Sequence, residues 1–105
     1  MWNQRSVDTF LGLPFNIASY SILLHILAIK AGMKPKEIVY VGGDVHVYKN
    51  HIDQIKEQIS RTPRPFPKIH LSEELKDKDW SQIKYTDFNL VGYFPFESIK
   101  ADMAV

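Results

Sequence analysis

The chain contains no cysteine. Disulfides, thiolate zinc sites and a cysteine nucleophile are therefore excluded for these residues. It also lacks an excess of either charge: 13 Lys and Arg stand against 12 Asp and Glu. That near balance leaves no broad field for a polyanion and argues against nucleic acid as the main ligand, although a local basic site for one phosphate stays open. Long apolar runs are missing too. The longest stretch, residues 22–31, is interrupted by His25 and Lys30 and falls short of the ~20 residues of a membrane span. The start is polar rather than an apolar leader. No repeat, low-complexity tract or dividing linker is visible. These absences point to a single cytoplasmic domain over residues 1–105, without a membrane.

What is present is enough for a core. Hydrophobic residues make up 45% of the 105, too many for a disordered chain. Residues 2–11 read as a strand through Val7, Thr9 and Phe10. Gly12 and Pro14 mark a turn, and a helix is expected over 15–31, stopped by Gly32. Its apolar residues run round the whole cylinder, the pattern of a helix covered on all sides. It is either a central core helix or one whose cover lies partly on another segment. Residues 37–48 read as a strand with a bulge at Gly42-Gly43. Asn50 is expected to cap a helix over 51–61, with Ile52, Ile55 and Ile59 on one face. The prolines at 63, 65 and 67 force extended backbone. Short strands are expected at 68–71 and 88–91, a charged surface loop at 72–82, and no helical period in 93–105. The fold class is α/β (α+β by some definitions), a mixed sheet with one buried and one amphipathic helix.

Three groups of residues have chemistry to offer. On a strand, Gln4, Ser6 and Asp8 share one face and Arg5 takes the other. Arg5 and Ser6 suit a phosphate, but only a bend or a strand end lets both reach it; an edge strand with an ordinary salt bridge is the plainer alternative. Asn16 carries an amide that can both donate and accept, the complement of a uracil edge, or else it caps the helix. His46 and Tyr48 sit two apart on one strand face, suited to a sugar hydroxyl, or simply to a half-buried strand with wet tips. A metal held by His46 and His51 lacks a matching ligand set.

Taken in order, the blocks Gln4-Arg5-Ser6-Val7-Asp8, Leu11-Gly12-Leu13-Pro14-Phe15-Asn16-Ile17-Ala18-Ser19-Tyr20, Gly43-Asp44-Val45-His46-Val47-Tyr48 with Asn50-His51, Arg61-Thr62-Pro63-Arg64-Pro65-Phe66-Pro67, and Ile99-Lys100 with Met103-Ala104-Val105 resemble the C-terminal part of the thymidylate synthases. The resemblance covers the chain apart from residues 72–87. It implies methylation of dUMP to dTMP with 5,10-methylenetetrahydrofolate as co-substrate and no metal. It implies substrate-binding roles for Arg5, Ser6, Val7, Asp8, Asn16, His46, Val47 and Tyr48. Of these, Arg5 and Ser6 would hold the phosphate, Asn16 would read the pyrimidine, and His46 and Tyr48 would bind the deoxyribose 3′-hydroxyl. Asp8 would act catalytically and contact the folate, Gly12 and Phe15 would line the folate side, and Ala104 would ride on a tail that closes over it.

The departures count as well. The family's cysteine nucleophile lies upstream of the strand that begins this sequence, and so do an acidic residue for proton transfer and further phosphate-binding arginines. Phe96 and Glu97 stand where the family more often has His and Pro. The expected partner is the N-terminal half of a synthase or a second copy in a homodimer. The alternative is a catalytically inactive remnant that only binds nucleotide or dimerises.

Overall fold

A computed structural model describes residues 1–104. The chain is α/β, built from small sheets and two helices. It divides into two compact units, one of residues 1–19, 38–63 and 96 onward, the other of residues 20–37 and 64–95.

The first unit holds β1 (Trp2–Asp8) and β2 (Tyr40–His46), paired in parallel from Trp2↔Tyr40 to Asp8↔His46. Trp2 and Tyr40 reinforce the start of the pair, with ring centroids 4.7 Å apart. At the far end the Thr9 amide and hydroxyl both donate to the His46 carbonyl, at 3.1 and 2.7 Å. β1 stops earlier than its β-forming residues suggest. The Asp8 carboxylate accepts from the amides of Phe10 and Leu11 at 3.0 and 3.2 Å, a local turn that competes with the ladder. The expected bulge at Gly42-Gly43 is not there, since the register keeps one offset throughout. Gly43 serves a close approach instead: a Cβ there would meet the Arg5 carbonyl oxygen at 2.9 Å.

The two strands are joined by α1 (Leu13–Lys30), whose first seven residues fall in the first unit and the remainder in the second. It ends on Gly32 at φ 66°. Gly32 donates to the Ile29 carbonyl and Met33 to the Ala28 carbonyl, at 3.2 and 2.8 Å, which closes the helix with a left-handed glycine. The expectation of a helix covered on all sides is not met within these residues. Only Ile26 and Ala28 are buried, while Leu23 and Leu27 are exposed. By length and composition α1 is also apolar enough to cross a membrane. The hydrogen bonding argues against that reading. A spanning helix between two paired parallel strands would need residues 31–39 to return through the lipid without a helix, leaving backbone groups unpaired.

After β2, a 3-10 turn at Lys49–His51 leads into α2 (Ile52–Ser60). Asn50 does not cap α2; its amide is used elsewhere. No residue of α2 is buried, and Ile52 and Ile59 are exposed. The core of this unit is Val7, Phe10 and, unusually, His51.

The second unit carries β3 (Lys68–Leu71) and β4 (Phe88–Val91), paired antiparallel. The sheet expected to be one mixed sheet is thus two separate ribbons, one parallel and one antiparallel. Short 3-10 turns occupy residues 73–76, 80–82 and 85–87, and Leu75 is fully buried beneath them. Asp87, also buried, organises this segment. Its carboxylate accepts from Lys78 Nζ and from the Lys84 amide, and its carbonyl from the Ser72 amide. The hydrogen bond from Lys78 is the main reason its carboxyl lies below the ordinary value of 3.8, helped by the Lys84 amide.

Candidate functional site

Every residue named from the sequence as a binding position lies in the first unit. The carboxyl ends of β1 and β2 bring several of them together, where open α/β sheets commonly bind ligands. Asp8 and His46 are direct partners in the parallel register. Gly12 lies over Asp8, since a Cβ on it would sit 3.1 Å from the Asp8 carbonyl oxygen and 3.7 Å from Asn16 Nδ2. Asp8, Gly12 and Asn16 therefore form one small neighbourhood. Asn16 is the fourth residue of α1 rather than its cap, and its backbone N–H donates to the Gly12 carbonyl at 3.0 Å.

The aromatic side continues from His46. Its ring stands edge-on to Tyr48 at 5.0 Å, and Tyr48 stands edge-on to His51 at 5.6 Å. His46 Nδ1 faces Asp44, 3.3 Å from its carbonyl and 3.6 Å from its carboxylate. That arrangement keeps the proton on Nδ1 and aims Nε2 outward as an acceptor when the ring is neutral.

Arg5, Ser6, Phe15 and Val47 are exposed, and Val7 is fully buried. β1 runs without a break in register across Arg5 and Ser6, so alternation sets their side chains on opposite faces. No bend brings them to one side. Ala104 is half-buried, two residues beyond an anchored carbonyl at Asp102.

Three residues of this neighbourhood were given no binding role from the sequence, although His51 was weighed there as a metal ligand with His46. Thr9 ties the strand ends together, His51 fills the floor, and Asp102 receives hydrogen bonds from Asn50 and His51. The pair Asn50-His51, directly after a strand ending in alternating aromatics, is the signal that could have found His51. Asp102 acts through its backbone, which no residue type reveals.

The comparisons with known proteins now bear on this arrangement. A family model described as thymidylate synthase matches residues 1–105. The chain belongs to the thymidylate synthase family. It is 48% identical over 105 residues to a probable thymidylate synthase of Escherichia phage T5, covering 98% of this chain and 38% of that protein. It is 48% identical over 104 residues to a thymidylate synthase of Corynebacterium aurimucosum, covering 97% of this chain and 37% of that protein. The chain thus spans well under half the length of these curated relatives.

Proposed function

We propose that this chain supplies the nucleotide-facing and folate-facing part of a thymidylate synthase that converts dUMP to dTMP. The observation that supports this most is the meeting of Asp8, Gly12 and Asn16 beside His46 and Tyr48, with polar atoms left available. Among the described residues, the Asn16 carboxamide and the Tyr48 hydroxyl make no hydrogen bond inside the chain. Each is free to recognise a ligand, and a polar group that ends up buried needs such a partner.

Asn16 reads the pyrimidine edge, donating to a carbonyl and accepting from a ring N–H. His46 Nε2 and the Tyr48 hydroxyl hold the sugar hydroxyl. Ser6, on the strand face of Asp8, holds the phosphate, and the longer Arg5 side chain, set on the opposite face of the straight strand, joins it through a bend of β1 on binding. Asp8 keeps its place through the two amides that its carboxylate accepts and faces the folate and the pyrimidine network. Gly12 packs directly on Asp8, where a Cβ would meet the Asp8 carbonyl oxygen at 3.1 Å, and Gly12 and the exposed Phe15 line the folate side. Bound 5,10-methylenetetrahydrofolate supplies the one-carbon unit and the hydride. The 105 residues contain no cysteine, so the nucleophile comes from a second polypeptide segment, and catalysis needs both. The tail bearing Ala104 covers the folate.

Mixing this chain with an N-terminal segment of the family that carries the cysteine, and following dTMP formation, tests the reading. Turnover in the mixture and in neither part alone is expected; absence of turnover in every mixture favours an inactive nucleotide-binding remnant. Substrate choice is tested by thermal protection. Asn16 serves uracil, whereas an acid would suit cytosine, so dUMP should raise the unfolding temperature more than dCMP does. Stronger protection by dCMP would overturn the assignment.

A further inference from the structure

His51 is fully buried, yet it carries two polar nitrogens. Its Nε2 lies 2.7 Å from the backbone oxygen of Asp102, and Asn50 Nδ2 lies 3.2 Å from the same oxygen. A carbonyl oxygen only accepts, so Nε2 must carry the hydrogen. The neutral ring then leaves Nδ1 bare. That atom has no hydrogen-bond partner and stands 3.9 Å from Asp8 Oδ1, too far for a direct bond. Phe10 and Tyr48 flank the ring at 5.5 and 5.6 Å, so it has little freedom to turn toward another partner. A few residues upstream on the tail, Arg61 donates to the Glu97 carbonyl at 2.7 Å, and its guanidinium lies 5.4 Å from the centre of the Phe96 ring. Both clamps grip backbone oxygens, so they fix the path of the tail whatever its side chains are.

We propose that His51, assisted by Asn50, is a positioning residue: a latch that holds the C-terminal tail by the Asp102 carbonyl. The inference rests on the proposed function only in assigning the tail to the folate side; the latch itself stands on the geometry. Its effect is to set the position of Ala104, two residues beyond the held carbonyl, without touching substrate.

The test begins with long-range nitrogen–proton spectra of the labelled full chain at neutral pH. They should show His51 protonated on Nε2 and bare on Nδ1. The opposite tautomer would overturn the latch, because a bare Nε2 cannot donate to a carbonyl. In His51→Phe, backbone order parameters at Met103 and Ala104 should fall from about 0.85 toward less than about 0.6 while those of β1 hold. His51→Gln should restore them, since its amide nitrogen can reach the same oxygen. Asn50→Ala changes only an exposed side chain and should give a smaller fall, which keeps the test decisive if His51→Phe does not fold. Unchanged tail order in Asn50→Ala and in a folded His51→Phe would sink the proposal. In a reconstituted active enzyme, His51→Phe should raise KM for the folate several-fold more than KM for dUMP. Lack of turnover with the unaltered chain as well would count against the proposed function alone and leave the spectra to decide the latch.

Discussion

Gly43 and Thr9 show how single residues hold the site's floor together. Gly43 lets two backbones pass where a methyl group would lie 2.9 Å from the Arg5 carbonyl oxygen. That oxygen is main chain and part of a ladder, so it cannot move aside cheaply. Gly43→Ala should therefore destabilise the chain by about 1–3 kcal/mol, the usual range for overpacking, and denaturant unfolding would measure it. Thr9 sends both its amide and its hydroxyl to the His46 carbonyl. Thr9→Val keeps the shape and removes only the hydroxyl bond, so the expected loss is about 1 kcal/mol. Because His46 and Asp8 are register partners, any real displacement would also weaken dUMP binding. A stability loss with unaltered dUMP affinity would show that the Thr9 amide alone keeps the strand ends in place.

Among the elements, the end of α1 and the turn segment before β4 lend themselves to measurement. Gly32 adopts φ 66° with open space around its missing Cβ. Gly32→Ala should cost about 1 kcal/mol through backbone conformation alone. It should cost less than Gly43→Ala, where space is the obstacle, and the reverse order in matched unfolding experiments would contradict both assignments. Asp87 binds Lys78 and the Lys84 amide, and its carboxyl is lowered from 3.8. A lowered folded-state value means that the stabilisation is present above the ordinary carboxylate range and is lost as pH falls through the folded value. The turns at 73–87 should thus loosen on acidification to below about pH 4, and Asp87→Asn should remove that pH dependence in a thermal melt. These turns were also the least legible part of the chain. β3 and β4 announce themselves by short β-forming runs after prolines and before Gly92. The turns at 73–87 look merely charged, because what orders them is one buried carboxylate and one buried Leu75. The parallel pairing of β1 with β2 is equally silent in the letters, since it depends on chain reversal by α1. Of the residues the sequence suggested for a site, Asp8, Gly12, Asn16, His46 and Tyr48 lie together at the strand ends, while Thr9, His51 and Asp102 act through backbone oxygens that composition does not advertise.

At the scale of the whole molecule the decisive quantity is surface. The chain exposes 8567 Å² at 12.2 kDa, whereas a folded monomer of that mass exposes about 6,100 Å². The excess is about 2,500 Å², the size of a large obligate interface. Its apolar share is visible on both helices, in Leu23 and Leu27 on α1 and in Ile52 and Ile59 on α2, and on β2 in Val41 and Val45. Such residues rarely stay uncovered in a stable monomer. The chain matches only 38% of its phage relative's length, which is consistent with that cover lying on other parts of a synthase. Alone, then, the chain should bind a hydrophobic dye and unfold at low denaturant concentration. Adding the complementary N-terminal segment should displace the dye and raise the unfolding temperature with the logarithm of its concentration above Kd, as linkage demands. Substitutions that put charge on the open faces, such as Leu27→Glu and Val45→Lys, should leave the chain alone unharmed and abolish the gain. A chain that withstands high denaturant, excludes the dye and ignores the added segment would mean that these apolar faces need no partner.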